Sequence, residues 1–168
     1  MNGETPSSDL QTLLGLQTSK DEDSEEGKES YVEYIQVIGL QVGGESFIID
    51  ILNVREIVRL RELEITRVPH AHFYILGVCN LRGKVVPVVD LGTRLGLHKV
   101  EAGRRSRMIV VEAGGRVVGF TVDAVSEVLR LPKEIIEPPA SREEYVVGVA
   151  TVEGQIMTML DLEKVLVS

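Results

Sequence analysis

The 168-residue chain has no tryptophan, a single cysteine and only 4% aromatic residues. So few aromatic faces leave almost nothing on which bases or sugars could stack. A lone Cys79 excludes an intrachain disulfide and fits a reducing compartment. No apolar run approaches the ~20 residues that span a bilayer. The N-terminus also lacks the basic and apolar regions of a secretory signal. Excess positive charge is missing too: the net charge is −8. Residues 1–29 hold eight acids and two bases, or −6, which leaves −2 for everything after them. A nearly neutral body carries no electrostatic footprint for nucleic acid or anionic lipid. Together these absences predict a cytoplasmic chain with no nucleic-acid partner and no direct membrane insertion.

What the chain does have is β-branched residues. Its 25 valines and 12 isoleucines exceed a fifth of the sequence and tilt it toward strands. Residues 1–30 read as an acidic tail, with Asp21–Glu29 almost wholly charged. Within the tail, Leu10, Leu13 and Leu14 stand at helical spacing behind a Ser8 or Asp9 cap. One such turn is marginal alone, so this segment is either part of a solvated tail or a docking helix. From Tyr31 the pattern is strand-like. Tyr31–Leu40 and Glu45–Asp50 flank Gly43-Gly44, a hairpin signal. Ile51–Val58 fits either a helical turn or a strand, and Arg59–Arg67 a loop or short edge strand. Leu76–Leu81 and Lys84–Asp90 form a hairpin about Arg82-Gly83. Arg107–Glu112 and Arg116–Val122 flank Gly114-Gly115, and Asp123–Leu131 repeats the ambiguous segment. After a proline-bracketed loop, Glu144–Ala150 and Gln155–Leu160 close a last hairpin, and Leu162–Val167 reads as a C-terminal helix.

The second half copies the first. Ile57-Val-Arg-Leu60 matches Val128-Leu-Arg-Leu131 at an offset of 71 residues. The same offset pairs Gly77 with Gly148, Gly83 with Gly154, Asp90 with Asp161 and Leu91 with Leu162. Independent landmarks at one offset indicate an internal duplication, with repeat halves at about 45–97 and 106–168. Each copy has about five strands, a size suited to a small closed barrel, which leaves no exposed sheet edges. Barrels this small bury little apolar surface singly, so a further shared interface is expected. The copies differ at one turn: Asn80-Leu-Arg-Gly83 against Thr151-Val-Glu-Gly154. The glycine is retained while the preceding side chain reverses charge, so the two tips are expected to face different partners.

Catalytic signatures are missing. No Gly-x-Ser-x-Gly, phosphate-binding loop or dinucleotide-binding glycine pattern occurs. His70 and His72 lie near Cys79, but no further ligands are spaced to complete a metal site. Asp90 and Asp161 could form a carboxylate pair; the competing reading has each cap the turn leaving its hairpin. Neither a catalytic residue nor a cofactor is predicted, and the chain reads as a non-enzyme.

Val54-Arg-Glu-Ile57, Gly77-Val-Cys-Asn-Leu-Arg-Gly83 and Val86-Pro-Val-Val-Asp-Leu91 give the chain a closer identity. With Arg116–Asp123 and Val125–Leu129, they resemble the CheW family, the bacterial chemotaxis coupling proteins, over residues 31–168. The resemblance implies an all-β fold of two intertwined five-stranded SH3-like barrels. It also implies an adaptor that joins the cytoplasmic tips of chemoreceptors to the regulatory domain of the histidine kinase CheA, at arrays beneath the inner membrane. The positions it carries over to receptor contact are Val54, Glu56, Ile57, Gly77, Arg82 and Gly83. Glu56 and Arg82 could pair with each other or with polar groups of a receptor. The kinase-facing region it implies lies in the second half, around Leu131, Pro138 and Ser141. Gly92 departs from the pattern, standing where the family often has arginine.

Overall fold

A computed structural model describes residues 31–167, so the acidic tail read over residues 1–30 lies outside the described residues. Ten strands fill most of the rest. The first copy supplies β1 (Tyr34–Val42), β2 (Glu45–Asp50), β3 (Val54–Arg59), β4 (Ile75–Leu81), β5 (Lys84–Asp90) and a helical turn, α1 (Leu91–Arg94). The second supplies β6 (Arg107–Ala113), β7 (Arg116–Val122), β8 (Ala124–Pro132), β9 (Val146–Val152), β10 (Gln155–Leu160) and α2 (Leu162–Val167). Ile51–Val58 contains both of its alternatives, a 3-10 turn at Ile51–Asn53 followed by β3. Arg59–Arg67 holds another such turn at Leu60–Glu62 and a single bridge from Thr66 to Val78.

The strands form two five-stranded sheets, in the orders β8-β1-β2-β10-β9 and β3-β6-β7-β5-β4. Neither sheet belongs to one copy. β1 of the first copy pairs with β8 of the second, and β3 of the first with β6 of the second. The 3-10 turn after β2 sends β3 into the other sheet, so each copy completes the other's barrel. This is the intertwined all-β, SH3-like architecture. The duplication extends to register: Ile48 pairs with Met159 in one parallel join, and Val88 with Gly119 in the other. Both pairs obey the 71-residue offset, as do the bridges Thr66–Val78 and Glu137–Val149. The structural repeat takes in β1, which lies ahead of residue 45, the expected start of the first repeat half.

Turn chemistry fixes these hairpins. Gly43 and Gly44 have φ of 59° and 80°, and Gly114 and Gly115 repeat this at 59° and 79°. Two successive positive φ angles make the tight hairpin turn whose twist matches that of the strands.

The apolar runs explain the packing. Val37 and Ile48 point into a small cluster with Leu131, Ala150, Met157 and Met159. Ile38, Leu40, Val42, Phe47 and Ile49, on the same two strands, join a larger cluster with Met108, Ile109, Val111 and Phe120 of the second sheet. Strands buried on both faces read as continuous apolar sequence rather than alternation. The larger cluster is the shared interface expected of two small barrels. A cation–π sandwich also ties the halves: Arg94 lies 5.1 Å from the Tyr74 ring and 5.3 Å from that of Tyr145, and its Nε donates to the Val165 carbonyl at 3.0 Å.

Candidate protein-binding surface

Arg82 stands at the tip of the β4–β5 hairpin. Its φ is 54°, and Gly83 follows at 82°. The Asn80 side chain closes the turn by accepting from the Gly83 N–H at 3.0 Å. A left-handed conformation is unfavourable for a residue with a Cβ, yet Glu153 adopts the same one, φ 53°, at the second tip. Both tips therefore project a long charged side chain from a rigid turn, with opposite signs.

The Arg82 guanidinium pairs with the Glu56 carboxylate on β3. Its side chain is 75% exposed against 22% for Glu56. β3 and β4 are the two edges of their sheet, so this pair joins the edges where no backbone ladder does. A bulge between Val54 and Glu56 shifts the register of β3. Val54 then opposes Val111, Glu56 opposes Val110 and Ile57 opposes Ile109. Val54 is half-buried against the main core, while Ile57 is exposed. Gly83 is exposed with open space around it.

Two expected contact positions are interior. Gly77 is buried with φ 147°, and a Cβ there would stand 2.0 Å from the Thr66 carbonyl oxygen. It lets β4 run against the 66–67 segment and has no side chain or surface to offer a receptor. Leu131 is 5% exposed and packs in the smaller cluster, because it faces inward on β8. Its side chain offers little surface to a kinase. Pro138 and Ser141 are exposed, and Ser141 Oγ accepts from the Glu143 N–H.

The structure adds Val85, 69% exposed beside the Arg82 tip, and its repeat partner Ile156, 65% exposed beside Glu153. Nothing in the run Lys84–Asp90 distinguishes Val85 from Val86, which is buried beside it. Gly92 is buried, and a Cβ there would stand 2.0 Å from the His98 carbonyl oxygen. The connector after α1 has closed over the position, leaving no room for arginine.

The residues considered for chemistry are committed elsewhere. Asp90 is 1% exposed and accepts from Thr93 N–H and Oγ1, Thr121 Oγ1 and Val100 N–H. Asp161 caps α2 through the Glu163 and Lys164 N–H groups. His72 stacks on Tyr74, and Cys79 is buried in the core, where desolvation raises its thiol pKa. Among the described residues no His, Cys, Asp and Glu side chains gather as a metal site, and no helix is long and apolar enough to cross a membrane.

The CheW-like domain family matches residues 36–168. The chain belongs to the CheW family. It is 37% identical over 135 residues to the chemotaxis protein CheW of Rhizobium meliloti, covering 77% of this chain and 86% of that protein. It is 33% identical over 152 residues to CheW of Helicobacter pylori, covering 88% and 87%. Among solved structures, the scaffolding protein TtCheW of Thermoanaerobacter tengcongensis superposes with a TM-score of 0.73 at 32% identity, covering 79% of this chain and 92% of that one. As a CheW-family protein the chain is a chemotaxis adaptor rather than an enzyme.

Proposed function

We propose that this CheW-family adaptor joins chemoreceptor cytoplasmic tips to the regulatory domain of CheA, working in the cytoplasm at receptor arrays. The observation that carries the reading is the Arg82–Glu56 pair. It is an exposed, charge-assisted contact at a hairpin tip, with the exposed apolar side chain of Val85 on the same hairpin and that of Ile57 on the same strand as Glu56. Such a surface suits recognition of another protein, with an arginine anchor beside apolar area. The guanidinium fork can keep one arm on Glu56 and offer the other to a polar group on a receptor helix bundle. Val54, Glu56, Ile57, Arg82 and Gly83 make up this receptor face.

The opposite tip, with Glu153 in place of Arg82, serves a different partner, and the second-half loop bearing Pro138 and Ser141 belongs to the kinase face. Separate faces allow simultaneous occupancy, so a receptor change that alters contacts at one face biases affinity at the other.

Arg82→Glu tests the receptor face. It removes the cation and sets two carboxylates against each other at Glu56 without changing the turn. Co-purification with a receptor tip fragment should be lost while that with the CheA regulatory domain persists. An unchanged receptor pull-down, or a large fall in Tm, would sink the assignment.

A further inference from the structure

The first half has an open groove that the receptor face does not use. It measures about 500 Å³ and lies between the 60–67 segment, the start of β4 and the connector after α1. Leu60, Leu63, Ile65, Phe73, Ile75 and Leu76 supply its apolar wall. Phe73 is 80% exposed, a large aromatic surface held in water by a protein with three phenylalanines in all. The groove's charged lining is positive in excess: Arg67 and Lys99 against a single carboxylate, Glu101. Beyond the lining, exposed Arg104 and Arg105 follow on the same connector, and exposed Glu62 and Glu64 lie on the 60–67 segment.

We propose that the occupant of this groove is the chain's own N-terminal segment, Ser8–Leu16, with Leu10, Leu13 and Leu14 set against the apolar wall. Three observations choose it. The segment bears the one cluster of leucines outside the described residues, at a spacing that places them on one helical face. The run Asp21–Glu29 that follows is strongly acidic, and the charged side chains lining the groove, Arg67 and Lys99 against Glu101, are positive in excess. Finally, the tether is long enough: residues 17–30 extend to roughly 46 Å, against a radius of gyration of roughly 14 Å for a compact body of this size. Docking supplies the tertiary contact that a single marginal helical turn needs to form. It is intramolecular, so the tether holds the segment at high local concentration whatever the protein concentration.

The test uses the full chain. Gln11→Cys carries a nitroxide, and the buried native Cys79, its thiol pKa raised by desolvation, stays unlabelled. Paramagnetic broadening should concentrate on the amides of Leu63, Ile65, Phe73 and Leu76. It should vanish in Leu13→Asp/Leu14→Asp, and equally in Phe73→Ser, whose exposed side chain makes the substitution tolerable to the fold. About 1 M NaCl, which cuts the Debye length to ~3 Å, should weaken it. Broadening that is absent, spread evenly, or centred on Val85 or Ile156 overturns the proposal. So does broadening that persists when the nitroxide and the isotope label are on different molecules, because a second copy would then fill the groove. Indifference to salt removes the charge match that selects this occupant, and so overturns it as well.

Discussion

Replacing Asp90 by alanine should cost far more than the same change at Asp161, although the two occupy equivalent positions in the duplication. Asp90 is buried, and both of its oxygens are engaged. Oδ2 accepts from Thr93 N at 2.9 Å and Thr93 Oγ1 at 2.6 Å, and Oδ1 from Thr121 Oγ1 at 2.7 Å and Val100 N at 3.1 Å. Thr121 is fully buried and Val100 nearly so. Losing the cap on α1 costs about 1 kcal/mol. Leaving two buried donors without an acceptor adds about 1–3 kcal/mol each. The sum, about 3–7 kcal/mol, is a large share of the 5–15 kcal/mol that typically holds a domain together. Asp161 lacks this burden. It accepts from Glu163 and Lys164 N–H in exposed surroundings, so its removal costs only the cap, about 1 kcal/mol. Urea unfolding followed by far-UV circular dichroism measures both, since the chain has no tryptophan to report by fluorescence. With a slope of about 2 kcal/mol per molar urea, the Asp90 midpoint should fall by about 1.5 M or more and the Asp161 midpoint by about 0.5 M. Equal shifts, or a loss below about 1 kcal/mol at Asp90, would refute the assignment of Asp90 as a buried structural hub.

Gly77→Ala should destabilise the fold by several kcal/mol, because a Cβ 2.0 Å from the Thr66 carbonyl forces the backbone apart. Gly83→Ala meets nothing within 4 Å and should lose only about 1 kcal/mol for its positive φ; thermal melts separate the two. Arg94→Met removes two cation–π contacts and the bond to the Val165 carbonyl, and calorimetry should show a loss of about 1–3 kcal/mol. Burial raises the Cys79 thiol pKa above its ordinary 9.0 and the Tyr145 phenol above 10.0, the latter helped by nearby Glu143 and opposed by Arg94. The folded state thus favours both neutral forms. Their contribution is complete below the ordinary values and is lost as pH climbs past them, so urea midpoints should decline from about pH 9 upward. Cys79→Ala should remove the lower part of that decline, and an unchanged profile would contradict the burial argument.

Much of this was legible in the chain itself. The 71-residue spacing of the glycines and aspartates revealed the duplication, and Gly-Gly and Arg-Gly pairs located the hairpins, because each is a local demand of backbone geometry. Asp90 and Asp161 could be read as caps for the same reason. The receptor face was legible in part. Arg82 and Glu56 were named by motif, and their pairing across two sheet edges is a long-range contact. Gly77 and Leu131 prove to be buried, since position in the chain carries no information on which way a residue faces once a strand joins a partner from the other copy. Val85 escaped notice as one valine in an apolar run.

Local chemistry, repeated at a constant interval, thus determined the strands, the turns and the twofold plan. Which strands share a sheet, and which valines face water, was decided only when the two copies exchanged their first hairpins, β1-β2 for β6-β7. That exchange is held by side chains far apart in sequence packing into one interior, and short-range propensity contains no trace of it.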